Sequence, residues 1–360
     1  MRSIIERLYR EHTAAPDELR TLLAGCDSRH LELINEKARE TAQARFGNKV
    51  FIRGLIEIGN CCHNDCYYCG IRRSNRKIER YRLDKETILA CCREGHALGF
   101  RTFVLQGGED DYLTTERATG IIADIRREFP DSAITLSLGE KSTEAYEAFS
   151  RAGANRYLLR HETHNPAHYR QLHPASMSLS NRLRCLDDLK RIGFQTGTGI
   201  MVGSPGQTID NLVEDILYIA QLRPEMIGIG PFLPHHDTPF GKMPAGNLEQ
   251  TLLLLSIFRL MHPDALIPST TALATLTPEG RERGILAGAN VVMPNLSPPQ
   301  QRSKYALYDN KASMGAEAAE GLRLLQARLE KIGYTIDMGR GDYRPVSYTH
   351  LRAHETPEHL

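Results

Sequence analysis

From residue 50 onward, short runs rich in β-branched and aliphatic residues alternate with segments patterned as helices, and the alternation repeats eight times. The runs are VFIRGLIEI (Val50–Ile58), TFVLQGG (Thr102–Gly108), AITLSLGE (Ala133–Glu140) and NRYLLRHE (Asn155–Glu162), then QTGTGIMVG (Gln195–Gly203), MIGIGPFLP (Met226–Pro234), ALIPSTTA (Ala265–Ala272) and ANVVMPN (Ala289–Asn295). Several lack the polar alternation of a half-solvated strand, as expected of parallel strands covered on both faces. Between the first two, Asp84 is placed to cap a helix over Lys85–Leu98, with Ile88, Leu89 and Cys92 on one face and Gly99 at its end. Similar patterns cover Thr114–Phe129, Ser142–Ala152, Leu179–Ile192, Ile209–Gln221, Leu248–Met261 and Pro278–Leu286.

Parallel strands need crossover helices, so the pattern predicts an α/β chain, and eight units suit a closed (β/α)8 barrel of TIM type. A doubly wound open sheet is the alternative, because closure is not visible in a sequence. Residues 1–48 read as an N-terminal helical extension beneath the barrel. Residues 49–333 read as the barrel, closed by a helix over Gly315–Ile332, and 334–360 as a C-terminal tail. The last stretch of the tail, VSYTHLRAHETPEHL, has no apolar period and reads as extraneous to the fold.

Composition narrows the class. The chain is 41% hydrophobic and 25% charged, ordinary for a globular protein with a large core. Its formal net charge of +1 gives no field to recruit nucleic acid or an anionic membrane. The N-terminus, MRSIIERLYREHTAAPDELRTLL, lacks the apolar core of a secretory signal, and no apolar run approaches the roughly 18 residues that span a bilayer. A cytoplasmic setting is expected. Eight cysteines, unevenly spread, make no disulfide scaffold there.

Four of those cysteines fall in NCCHNDCYYCG (Asn60–Gly70), directly after the first strand, at the end where barrel enzymes place their active sites. Three of them, Cys62, Cys66 and Cys69, can wrap one face of a compact metal centre. A structural zinc site would want a fourth ligand, usually from a second Cys/His pair, and no second CxxC exists. A cubic 4Fe–4S cluster held by three cysteines leaves one iron open to an exogenous ligand, which is a catalytic arrangement. Cys61 points away from its neighbour and reads as a bystander, and Cys26, Cys91, Cys92 and Cys185 read as small core residues within helices.

The loop, with an aromatic before its last cysteine, resembles the CxxxCxΦC signature of the radical AdoMet superfamily. That resemblance implies a cluster whose open iron chelates S-adenosylmethionine and whose electron releases a 5′-deoxyadenosyl radical. It places Tyr68 near the adenine. Gly107, Gly108 and Glu109 resemble the superfamily's GGE element, where glycines let backbone approach the methionine amino group. Ser137 and Glu162 would face the same mouth. Arg182, on the helix after strand four, could answer the AdoMet carboxylate with a charge-assisted bond; the bland alternative is a solvated helix charge.

The resemblance narrows further. GLIEIGNCCHNDCYYCGIRRSN, VLQGGED, ITLSLGE, RYLLRHETHNPAHYRQLHP, GIMVGSPGQTIDNLVEDI, IGIGPFLPHHDTPF, IPSTTALATL and GANVVMPNLSP are similar in register to the HydE family of iron-iron hydrogenase maturases. This implies a small organometallic guest, an iron–cysteine synthon, in the barrel. It also implies an electron donor such as a ferredoxin or flavodoxin, and transient contact with other maturation proteins. By motif, Arg160, Thr270 and Thr271 should line the lumen, joined by Met201 and Pro231, with Tyr305 and Tyr308 at the mouth. Some members carry three further cysteines after the last strand for a second cluster, and Asp309–Leu325 contains none. Methylornithine synthase and biotin synthase are the alternatives within the superfamily, and a non-catalytic iron–sulfur carrier or scaffold is the alternative outside it. Biotin synthase needs ligands for a second cluster, yet the only cysteine after Phe100 is Cys185.

Overall fold

The structure is a computed structural model and describes residues 1–311 and 318–344. The predicted closing helix begins outside these residues and is seen from Ala318 to Glu330. The stretch VSYTHLRAHETPEHL lies outside them entirely.

Among the described residues eleven strands form, the first ten of them in the barrel wall: β1 (Lys49–Ile52), β2 (Gly54–Gly59), β3 (Thr102–Gly107), β4 (Ala133–Ser137), β5 (Arg156–Leu158), β6 (Gln195–Thr198), β7 (Met201–Val202), β8 (Met226–Ile227), β9 (Gly230–Pro231), β10 (Val291–Val292) and β11 (Thr335–Asp337). β1 and β2 are one strand interrupted at Arg53; β6 with β7, and β8 with β9, are likewise two halves of a strand. All ladders are parallel, in the order β2-β3-β4-β5-β6-β8. Closure runs through single bridges, Met226 to Leu266 and Pro268 to Val291, and then through β10 to β1. The wall is therefore a closed eight-position (β/α)8 barrel, and the open-sheet alternative falls.

The seventh run is the least regular. ALIPSTTA contributes only bridges at Leu266 and Pro268, and its end starts a helix over Thr271–Leu276 instead of continuing as strand. Pro268 has no N–H to donate to a ladder, which is enough to break one.

Parity along the strands separates wall from lumen. Ile56, Ile58, Phe103, Leu105, Ile134, Leu136, Tyr157 and Leu159 belong to the apolar layer between strands and helices. The alternate positions, among them Arg53, Glu57, Gln106, Ser137, Arg156 and Arg160, face inward.

The three N-terminal helices, α1 (Arg2–Glu11), α2 (Pro16–Gly25) and α3 (Ser28–Phe46), do not lie under the barrel as expected. Ile5, Leu8, Leu19, Leu22, Leu31 and Ile34 share a core with Leu212, Ile216 and the helix Leu248–Met261 on the barrel's flank. The reason is that helix itself: every residue from Thr251 to Leu260 is buried, most of them apolar, so it needs a second cover.

The floor is closed instead by the chain after the last helix. β11 pairs with β1, and the following residues reach Arg156, which is fully buried. Arg156 donates to Asp342 Oδ1 (2.7 Å), the Arg340 carbonyl (2.8 Å), Gln195 Oε1 (3.1 Å) and Thr102 Oγ1 (3.3 Å). Removing the counter-ion would strand a buried charge. Asp342→Ala should therefore lower the unfolding free energy by about 3 kcal/mol in denaturant melts. The double change Arg156→Met with Asp342→Leu should recover part of that loss.

Candidate active site

After β2 the chain forms a loop without regular structure as far as the helix Lys85–Ala97. Backbone there must find partners outside any ladder. Arg80 supplies many of them, donating to the carbonyls of Asn60 (2.5 Å), Arg72 (2.6 Å), Ile71 (2.8 Å) and Asn75 (3.0 Å). Asn60, fully buried, donates to Glu79 O and Lys304 O and accepts from Tyr81 N–H. Asp65 takes Arg72 Nε at 2.7 Å and Ser74 N at 3.0 Å. The loop is a rigid clip rather than a tether.

Two glycines set how closely it docks. A Cβ on Gly108 would lie 2.2 Å from Cys61 O, and one on Gly70 would lie 2.2 Å from Ala306 O. Side chains at either position would push the loop off β3 or off the mouth segment.

Cys62, Cys66 and Cys69 are free thiols at this mouth. Cys66 lies close enough to Cys62 and Cys69 for their charges to act on it. Three thiol donors gathered at one mouth suit a cubic cluster that keeps one iron open. Burial pushes the Cys69 thiol up to about 12 and raises Cys62 and Cys66 as well. The free thiols thus keep their protons, and loading metal releases them. Cys61 stands apart, its Sγ 3.8 Å from Tyr81 O.

Around the triad sit the predicted cofactor residues. The Tyr68 hydroxyl donates to His173 Nε2 (3.0 Å), while His173 Nδ1 donates to Tyr169 O (3.0 Å). Burial, aided by Arg182, pushes His173 down to about 3, so the ring is a neutral acceptor. Tyr68 also packs beside Met201, Leu172 and Phe232.

Glu109 follows Gly107 and Gly108 and is 9% exposed. Burial opposes its charge, but His63 and Arg182 outweigh that and hold its pKa below the usual carboxylate range. Arg182 is buried, 2.8 Å from Glu140 Oε1 and 3.8 Å from Glu109 Oε1. It is not a solvated helix charge.

Glu57, Gln106 and Ser137 are register partners across β2, β3 and β4, forming one inward row. Beyond β5, Arg160 Nη2 donates to Glu162 Oε2 at 2.8 Å. Glu162 has φ +64°, and Thr163 N–H closes onto His161 O at 2.8 Å. That is a γ-turn with a left-handed centre, a conformation that costs on the order of 1–3 kcal/mol and clusters at functional sites.

Thr270 caps the helix Thr271–Leu276, and its Oγ1 is buried without a partner among the described residues. Pro231, in β9, pairs with Val202. Thr271, Tyr305 and Tyr308 border a cavity of about 410 Å³ at the mouth. Tyr305 is 2% exposed and accepts Gln106 Nε2 at 3.3 Å, whereas Tyr308 stays half-buried. The structure thus brings the cysteines, Tyr68, Glu109 and Arg182 together on one side of the mouth. Tyr305 packs with them, in a cluster with Ile71, Tyr81 and Cys69, while Thr271 and Tyr308 border the cavity.

A closed parallel barrel with a three-cysteine clip at the C-terminal end of its first strand is the architecture of a radical S-adenosylmethionine enzyme. Residues 56–219 match the family model of the radical SAM superfamily. The chain is 41% identical over 332 residues to the iron-iron hydrogenase maturase subunit HydE of Thermotoga maritima, covering 92% of this chain and 94% of that protein. It therefore belongs to the HydE family, and its cofactors are a 4Fe–4S cluster and S-adenosylmethionine. It is also 29% identical over 334 residues to the 3-methylornithine synthase of Methanosarcina barkeri, covering 92% and 93% of the two chains. Among solved structures, methylornithine synthase (PylB) aligns with TM-score 0.81 at 26% identity, over 93% of this chain and 97% of that one. The hydrogenase maturase HydG aligns with TM-score 0.77 at 20% identity, over 93% and 75%, which speaks to fold alone.

Sequence reading passed over several participants. His173 is one of four histidines from His161 to His173, with no spacing to mark it. Glu140 and Glu57 are single charges whose partners lie far along the chain, and Arg80 bonds carbonyls of its own loop, which no side-chain pattern marks. Among the described residues one further group could hold an ion, His235, His236 and Asp309, but it is paired within itself. His236 lies 2.7 Å from Asp309 Oδ1 and 3.0 Å from Asp237 Oδ2, and His235 Nδ1 accepts Asp237 N–H.

Replacing Cys62, Cys66 or Cys69 by Ala should abolish iron binding and AdoMet cleavage after anaerobic reconstitution, measured as iron per chain and 5′-deoxyadenosine. Cys61→Ala should retain both; loss of iron there would overturn the ligand assignment.

Proposed function

We propose that this enzyme is a hydrogenase maturase whose radical acts on a small iron–cysteine synthon during assembly of the di-iron subcluster. When bound, the cluster and S-adenosylmethionine supply a 5′-deoxyadenosyl radical. What the protein contributes is orientation and exclusion of water.

One observation carries the reading of the guest. Toward the mouth the lumen presents buried hydrogen-bond donors that have no partner among the described residues: Arg160 Nε and the Thr270 hydroxyl. Unpaired buried donors are costly, so they point to a guest rich in acceptors, such as cyanide- and carbonyl-bearing iron. The inward carboxylates are already spoken for. Glu57 accepts from Lys311 and Asn295, and Glu162 from Arg160. An amino-acid substrate such as lysine brings an ammonium group that would need an acidic partner, which disfavours the methylornithine synthase reading.

Within this reading Arg160, Thr270 and Thr271 hold the guest, with Met201, Pro231, Tyr305 and Tyr308 shaping its surroundings. Tyr68, Gly107, Gly108, Glu109, Ser137, Glu162 and Arg182 surround S-adenosylmethionine. A ferredoxin or flavodoxin as electron donor, transient contact with other maturation proteins and a cytoplasmic setting complete the proposal. Among the described residues no helix is long and apolar enough to cross a membrane.

The test is anaerobic maturation of apo-hydrogenase in a defined mixture. Arg160→Ala and Thr270→Val should keep full iron, and Thr270→Val uncoupled AdoMet cleavage as well, yet both should lower hydrogenase activation about tenfold or more, the scale of losing an oriented donor. The rival is checked with lysine, AdoMet and reductant. Catalytic formation of methylornithine, with no hydrogenase activation, would sink the maturase proposal.

A further inference from the structure

The left-handed turn at Glu162 has support on the outer face of the barrel. Arg160 and Glu162 face the mouth, while His161 and Thr163 are fully buried behind it. The His161 ring runs outward to the helix Ile209–Leu222, which otherwise buries Leu212, Val213, Ile216 and Ile219. On that helix sits Asp215, a fully buried carboxylate in an apolar layer.

Asp215 meets the chain on both sides of the turn, bonding one side and facing the other. Its Oδ1 accepts the His164 N–H, and it faces His161 Nε2 across 3.5 Å. The other ring nitrogen of His161 meets Thr198 Oγ1 at 2.8 Å, and that hydroxyl donates to Leu159 O at 3.0 Å. Tyr218 fills the remaining space, edge-on to His161 at 4.9 Å and stacked on His164 at 4.5 Å. His164, after the turn, is thus hydrogen-bonded to a side chain on a neighbouring element that the His161 ring, before it, faces at 3.5 Å, while Glu162 itself carries the unfavourable φ. Such a conformation persists only where its surroundings over-determine it.

We propose that Asp215, acting through His161 and the His164 N–H, is the positioning residue that holds the Glu162 turn and aims the Arg160–Glu162 pair into the mouth. Asp215 touches neither cofactor nor substrate. The inference rests on the reading that Glu162 contacts S-adenosylmethionine, so the experiment separates the two.

Holoenzyme is titrated with S-adenosylmethionine, and affinity is read from the change it causes in the EPR signal of the reduced cluster, beside iron content and melting temperature. Glu162→Gln tests the underlying reading alone: unchanged affinity removes that reading and this inference with it. Given a weakened Glu162→Gln, Asp215→Ala is expected to lose about fivefold or more in affinity at unchanged iron. Asp215→Asn, which keeps an acceptor for the His164 N–H, should recover most of that loss. In the Glu162→Gln background, Asp215→Ala should have no further effect, because its route to the cofactor is already cut. Unchanged affinity in Asp215→Ala, or a loss repeated in full in the Glu162→Gln background, overturns the positioning role and leaves Glu162 its own. Should Asp215→Ala fail to load iron, the pair His161→Phe and His161→Asn makes the same comparison, with the same outcomes decisive.

Discussion

A barrel that puts arginines and carboxylates inside must account for every charge it buries, and that constraint organises this structure from floor to mouth. Barrels of this kind normally fill their interior with branched aliphatic layers. Here the inward positions include Arg53, Glu57, Gln106, Arg156 and Arg160. An isolated buried ion is too costly to keep, so each must find a partner or wait for one. At the floor Arg156 finds four acceptors, two of them supplied by the chain after the last helix. At the mouth Glu57, 1% exposed, is met by Lys311 and Asn295. Both ends are therefore sealed by segments late in the sequence. Of the donors left over, Arg53 lies by Arg156 at the floor, while Arg160 and Thr270 lie toward the mouth, where a guest would sit.

The cysteine clip is solved separately from the barrel, and the separation has a physical logic. Cluster chemistry needs three thiols in fixed relation, yet the end of a strand offers no ladder to hold a loop of some two dozen residues. Arg80 answers with a planar fork that reaches four carbonyls at once, which a lysine could not do. The clip then touches the rest of the molecule through close backbone approaches at Gly70 and Gly108. Rigidity is built locally, and docking is left to shape.

Legibility in the sequence followed the range of the interactions involved. Strand positions, the helix bounded at Leu179–Ile192 and the cysteine clip were readable, because each is specified by neighbours within a few residues. Closure was not, since the bridges from Leu266 and Pro268 join runs that look irregular alone. The N-terminal helices read in sequence as a floor, because nothing local reveals that Leu248–Met261 needs a second apolar cover. Arg182 shows the limit most clearly. Its burial depends on Glu109 and Glu140, more than forty residues upstream, and from its own helix it looks solvated.

The balance of donors and acceptors also bears on which chemistry the fold can host. The same barrel and cysteine clip serve enzymes acting on quite different guests, as the similarity to methylornithine synthase shows, so fold alone cannot choose. Choice has to come from groups whose hydrogen bonds are incomplete without the guest. Toward the mouth of this lumen those groups are a guanidinium nitrogen and a threonine hydroxyl, with the inward carboxylates Glu57 and Glu162 already neutralised. A cationic guest would meet donors where it needs acceptors, and would have to break the Arg160–Glu162 pair to find one. An acceptor-rich guest completes Arg160 while leaving that pair, and the turn that carries it, in place. Recognition and the orientation of Glu162 then depend on the same few atoms, so the guest and the cofactor residue would be set in place together.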